Sequence, residues 1–428
     1  MTKASAPEPS RLELWSWCFY DFANSAFPTL ITTVAFAVYF TQVVAGGRPG
    51  AELLWSLAIS ASMILTGVMS PLLGAIADYS ASKKKWLFWF TVMCVVPNAA
   101  LYLVGPGDVL AGTLLFVVAN IGFAAGNGIY NGFLSELTTE RNVGRLSGYG
   151  YGLGYLGGLI ALAVCLPLLR GGLGPENRGL FRASFLVSAV FFALFSAPIF
   201  LWMKERAVPR PGASALSLAR GGYARLRETF RQVRSLRELF KFLTAFLIYN
   251  DGIETVIYFS SIYAVSVLGF SMGETVYLFM AVQVTALIGS LMLGAISDRI
   301  GGKPTILITL GLWCCVVTAA FFATTRAQFW VVALVAGIGL GSNQAASRGL
   351  MRLFVPAGRD AEFFGFFSVC GKFSALLGPL VYGVVAKVAD SQRAAILSVL
   401  GFFAVGLAIL LTVDVEKGRR AALEYREE

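Results

Sequence analysis

Histidine is absent from the 428-residue sequence, and charged residues make up only 14% of it. Without histidine, any proton-linked step has to run through carboxylates. Soluble domains average about 25% charged residues, so the scarcity of charge excludes an ordinary soluble domain. Six cysteines (Cys18, Cys94, Cys165, Cys314, Cys315 and Cys370) each fall inside an apolar run. They form neither a metal-ligand spacing nor a disulfide framework and read as small helix-packing residues. Metal-ligand clusters, nucleophile elbows and Walker motifs are missing too, so no cofactor, no metal and no enzyme or ATP-driven pump is expected. The N-terminus shows no short apolar leader with a cleavage site, so the first long apolar run is expected to be retained.

What is present in quantity is hydrophobic sequence, 57% of residues with a mean hydropathy of +0.72. Apolar stretches of spanning length occur near 12–44, 52–78, 86–104, 109–136, 143–169 and 180–203. Six more follow near 240–268, 274–297, 304–325, 327–354, 363–388 and 391–414. The expected fold is therefore all-α and integral to the membrane, with twelve transmembrane helices in two pseudo-symmetric six-helix bundles. The expected boundaries are 1–203 for the first bundle, 204–239 for a basic linker, 240–414 for the second bundle and 415–428 for a tail. In a soluble protein the net charge of +10 would raise the question of nucleic acid. Here about 25 of the 34 Lys and Arg lie in the termini or every second loop, and about seven in the opposite loops. That bias predicts a bilayer partner rather than nucleic acid, with both termini cytoplasmic. In the linker, Leu226, Phe230, Val233 and Leu236 share one helical face opposite many Arg, as in a helix lying on a membrane surface.

The halves resemble each other. Gly74 to Asp78 ends the second run, and Gly294 to Asp298 ends the eighth. Tyr20-Asp21 in the first is answered by Tyr249-Asn250-Asp251 in the seventh, and Asn131-Gly132 in the fourth by Arg348-Gly349 in the tenth. Gly148 and Gly365 keep the same offset from the previous pair. Two such halves imply a cavity at their interface.

Polar residues cluster on the four duplicated helices. Asp21, Asn24, Ser25, Pro28 and Thr32 share one face of the first, and a carboxylate at that depth must face protein or a water-filled cavity. The seventh carries Asn250, Asp251, Glu254, Tyr258 and Ser261, the fourth Asn120, Asn127, Asn131 and Ser135, and the tenth Gln344, Arg348 and Arg352; Lys372 lies mid-way along the eleventh. Either the charged members of this set pair to lock helices together, or they serve one site. Acids and bases facing one site suit a zwitterionic solute, with Arg348 or Lys372 for a carboxylate and an acid for an ammonium group, and the same acids suit a proton relay. The substrate-binding or proton-coupling set is Asp21, Asn24, Asn127, Asn131, Asp251, Glu254, Gln344, Arg348 and Lys372. Tyr130, Tyr151, Tyr155 and Tyr258 either line the cavity or pack. Glu136 and Arg352, near helix ends, read as gate residues or as side chains reaching the headgroups. The fifth run, with Gly144, Gly148, Gly150, Gly152, Gly154, Gly157 and Gly158, satisfies G-x-G-x-x-G literally, but no strand precedes it. Its glycines read as a surface for close helix approach.

Gly74 to Asp78 with Lys83-Lys84-Lys85, and Gly294 to Asp298 with Arg299, Gly301 and Lys303, resemble the signature loop of the major facilitator superfamily. Tyr79 and Ala81 depart from that pattern in the first copy. The resemblance implies a conformational gate at Gly74, Asp78, Gly294, Asp298 and Arg299 that holds one state closed. More narrowly, Tyr20 to Phe27 and Tyr249 to Gly252 resemble the branch that joins bacterial permeases to the fungal vacuolar amino-acid effluxer. It implies secondary transport by alternating access, with amino-acid export as the branch's best-known activity. The expectation is a monomeric, proton-coupled carrier of a small zwitterionic solute in the cytoplasmic membrane. The alternatives are a multidrug or other metabolite exporter on the same fold, and a membrane sensor or lipid-handling protein that does not transport.

Overall fold

The structure, a computed structural model, describes residues 9–80, 82–137, 143–205, 224, 227–356 and 360–425. The side chains at 70–80, 134–136, 143–145, 147–148, 290–291, 293–299, 345, 360–362, 365, 368 and 372 lie outside the described residues. That range includes the expected gate side chains Gly74, Asp78, Glu136, Gly294, Asp298 and Arg299, and also Lys372.

The described chain is almost wholly helical, and ten of its helices are long and apolar enough to cross a membrane. In order they begin with α1 (Arg11–Val44), α2 (Ala51–Ser80), α3 (Lys83–Ala100), α4 (Val109–Leu137), α5 (Val143–Leu169) and α6 (Arg178–Trp202). The second half has α7 (Arg237–Leu268), α8 (Met272–Ile300), α9 (Gly302–Phe322), α10 (Arg326–Leu353), α11 (Asp360–Phe373), α12 (Leu377–Ala389) and α13 (Gln392–Leu411); α14 (Val415–Glu424) follows. Two of the expected crossings fall outside the ten. The α7 helix is 32 residues long but carries Asn250, Asp251 and Glu254 through its middle. The eleventh expected crossing is broken into α11 and α12. In the linker, 227–235 is helical, with Val233 buried and Phe230 half exposed against Phe240 and Phe366.

The first helix departs from regular winding for a reason visible in its sequence. Pro28 has no N–H to return to Asn24, and Phe27–Val34 and Phe40–Val44 wind as π-helix instead. A helix that wide and that deep is tolerated where protein or a cavity surrounds it, and 83% of the residues in an apolar 18-residue stretch of this span are buried.

The duplication recurs in contacts outside the matched motifs. Glu13 at the start of α1 accepts from the Lys204 N–H after α6 (3.3 Å), and Lys84 of α3 donates to Met203 O (3.0 Å). Glu238 at the start of α7 accepts from the Asp414 N–H (2.7 Å), and Lys303 of α9 donates to Val413 O (2.6 Å). In each half a carboxylate on the first helix and a lysine on the third satisfy backbone groups that the last helix leaves unpaired at its end.

The halves meet chiefly through α2 with α11 and α12, α5 with α8, and α1 with α7. At the end away from the termini, Gln42 donates to Ser266 (2.8 Å) and Gln392 to Glu52 (2.8 Å). Deeper in, Ser261 donates to Thr33 O and Ser60 to Leu376 O.

Candidate functional site

Asp21 lies about 15 Å along α1 from its first residue at 1.5 Å rise. The glycine face of α5 makes room for it. A Cβ at Gly150 would sit 3.3 Å from Asp21 Oδ2, one at Gly154 3.1 Å from Ser25 Oγ, and one at Gly157 would collide with Phe22 O. The glycines bring two helix backbones together around a carboxylate.

Beside Asp21, Asn24 is buried and donates to Asn127 Oδ1 of α4 (2.9 Å). Arg348 arrives from α10, in the other half of the chain. Its guanidinium stands 4.3 Å over the Tyr151 ring and is close enough to Asp21 for each to act electrostatically on the other. Tyr130 is stacked on Trp17 at 4.6 Å and on Tyr20 at 5.1 Å. Its hydroxyl is buried with no hydrogen-bond partner among the described residues, and its ring belongs to the same electrostatic group as Asp21 and Arg348. Trp17 donates its indole N–H to Tyr130 O (3.1 Å), and Tyr20 pairs its hydroxyl with Thr91 (2.9 Å). An acid, a guanidinium, two amides and a phenol therefore converge where the halves meet. Charged groups at this depth are costly unless they face one another or a polar ligand.

The other predicted residues fall elsewhere. Asp251 is 1% exposed, and both its oxygens accept backbone N–H groups, from Leu377 (3.0 Å) and Gly378 (2.8 Å). Asn250 next to it donates to Ser374 (2.6 Å). Glu254 is half-buried and interacts with the Tyr258 hydroxyl one turn further on. Gln344 is half-buried on α10, while Asn131 and Arg352 are exposed. Tyr155 is half-buried on α5. Trp17 and Ser60 were not in the predicted set. Trp17 stands one helical turn before Asp21 on the same face, a signal the spacing contained, whereas nothing local marks Ser60.

Above the charged group lies a largely apolar cavity of about 170 Å³. Its walls include Pro28 and Thr29 of the π-helical stretch, Ile257 and Ser260 of α7, Gln283 of α8 and Gly337 of α10. Among the described residues no group of His, Cys, Asp and Glu is arranged to hold a metal.

Residues 54–423 match the family model described as vacuole effluxer Atg22 like. An uncharacterised transporter of the major facilitator type from Bacillus subtilis, YxiO, is 30% identical over 410 residues, covering 94% of each chain. Autophagy-related protein 22 of Yarrowia lipolytica is 26% identical over 74% of this chain, which spans 58% of that protein's length. Among solved structures, the nucleoside transporter NupG superposes with a TM-score of 0.71 at 15% identity, covering 94% of this chain and 100% of that one. A bacterial homologue of the lysosomal transporter Spinster, in an inward-facing unoccupied conformation, has a TM-score of 0.71 at 13% identity, covering 98% and 100%. At such identities the structural likeness establishes the fold alone, and it is the fold of membrane transporters rather than of enzymes.

Proposed function

Because the chain belongs to the Atg22-like family of major facilitator transporters, we propose that it carries a small zwitterionic solute, such as an amino acid, by alternating access coupled to protons. The observation that supports this is that Arg348 of the second half stands on Tyr151 of α5, next to Gly150, which packs against Asp21 of the first half. An ammonium group suits Asp21, and a carboxylate suits the two-pronged guanidinium of Arg348. A solute with both charges bridges the two halves by contacting both groups. Binding then alters the balance between conformations, because only a ligand with different affinities for two states shifts them. With histidine absent, Asp21 is the proposed proton carrier, Asn24, Asn127 and Tyr130 orient the solute, and Glu254 is a secondary acid. The charge bias of the loops supports a cytoplasmic-membrane protein with both termini inside, and we assign it as a monomer.

Counterflow in proteoliposomes with a pool of labelled amino acids, run with and without an imposed pH gradient, tests the reading. Flux that responds to the gradient is the expected result. Flux indifferent to it removes the proton, and no flux with any amino acid removes the zwitterion. In that last case the apolar cavity beside Pro28 favours a second reading, export of an apolar organic compound, which a growth-inhibition panel in an exporter-deficient host detects. Arg348 disfavours cationic compounds there.

A further inference from the structure

The break between α11 and α12 is held from two sides, and the two sides belong to different halves of the protein. Pro379 supplies no N–H to the carbonyl of Ala375, so that bond of a continuous helix is missing at this point. Phe373 ends α11 and Leu377 begins α12, leaving backbone groups without helical partners at membrane depth. On one side, α7 of the same half takes the freed donors, with Asp251 Oδ2 and Oδ1 accepting from the Leu377 and Gly378 N–H groups at 3.0 and 2.8 Å. Asn250 holds Ser374 at 2.6 Å, and Ser374 turns back to Gly371 O at 2.7 Å. Gly378 is required by this fit, since a Cβ there would lie 2.7 Å from Asp251 Oδ1. On the other side, α2 of the opposite half reaches the backbone at the break, with Ser60 Oγ donating to Leu376 O at 3.0 Å. The ring of Phe373 lies against Gly67 of the same helix.

We propose that residues 374–376 form a pivot, with Asp251 as the positioning residue that fixes its axis and Ser60 as a contact made in one conformation and released in the other. The proposal rests on alternating access and explains a division of labour within it. The charge-assisted contacts from Asp251 run within one half and survive a rocking motion. The single hydroxyl contact from Ser60 crosses between the halves and has to part when α2 and α12 separate. A carboxylate is suited to the first duty because it accepts two N–H groups and has no donor of its own to repel them.

Hydrogen exchange of the purified full-length protein in nanodiscs tests the axis without any solute. In Asp251→Ala the amides of 374–380 exchange at least 10-fold faster, while α9 is unaltered, and Asp251→Glu restores part of the protection. Unchanged exchange at 374–380 overturns the proposal. Where counterflow with labelled amino acids is measurable, Asp251→Ala lowers turnover at least 10-fold with the half-saturating concentration within about 2-fold of wild type. Equal losses in both would place Asp251 on the solute and overturn the positioning role. The Ser60 contact is read by spin labels at Leu54 and Val388, exposed positions on α2 and α12, after replacement of Cys314 and Cys315. In Ser60→Ala the longer-distance population rises at least 2-fold, and an unaltered distribution removes Ser60 from the pivot. Because exchange and label distances need no transported solute, failure to find one leaves this test intact.

Discussion

Asp21 and Asp251 lie one residue out of step in the repeated motif on the first helix of each half, and their surroundings differ in kind. Asp21 packs against the glycine face of α5, where Arg348 of the opposite half stands on the neighbouring Tyr151 ring. Asp251 faces two backbone N–H groups of its own half. A carboxylate with a guanidinium of the other half nearby can take a solute between them. A charge answered by backbone at a helix break cannot leave without exposing the break. Duplication supplied two acids, and their partners separate one for traffic and one for architecture.

The largest effect expected from breaking this contrast is at Asp251. Asp251→Leu leaves two buried N–H groups unsatisfied, at about 1–3 kcal/mol each, and should lower the thermal midpoint of the purified protein by several degrees; a midpoint equal to wild type would contradict the assignment. Next is Asp21→Asn, expected to abolish or uncouple counterflow, about 100-fold or more, with the thermal midpoint kept. Normal kinetics in that variant would remove Asp21 from the mechanism. Gly157→Leu forces a side chain onto Phe22 O and should cost about 1–3 kcal/mol through strain, seen as a destabilised protein with lowered flux. Arg348→Lys keeps the charge but loses the planar fork and part of the stacking on Tyr151, and about a 10-fold fall in turnover is expected. The smallest change is Tyr151→Leu, which removes a cation–π contact of about 0.5–2 kcal/mol and should raise the half-saturating solute concentration a few-fold.

Much of the fold was legible because spanning helices are a matter of length and apolarity. The intramembrane acids were equally visible, since a carboxylate in an apolar run is conspicuous. Their duties were not. Asp21, Asp251, Glu254, Arg348 and Lys372 read as one set of charges, yet the first two take different partners, and helical periodicity carries no information about which neighbour a face will meet. The 363–388 run was expected as one crossing, and only the structure shows that it breaks and that a carboxylate of α7 fills the break. Tyr130 was ambiguous between packing and lining; its ring does the packing, between Trp17 and Tyr20, while its buried hydroxyl has no hydrogen-bond partner among the described residues.

By itself the sequence determined the membrane class, the helix-forming runs, the duplication and the inventory of polar groups available to a site. Each of these follows from local composition, because the bilayer admits few backbone arrangements and penalises every stray polar atom. The tertiary structure decided which polar groups meet. It brought Arg348 of the second half onto Tyr151 of α5, aimed Asp251 at a helix break 126 residues away, and placed Ser60 of the first half on the same break from the other side. Those pairings come from how helices pack and cross, a property of the assembled bundle that no single run of residues contains.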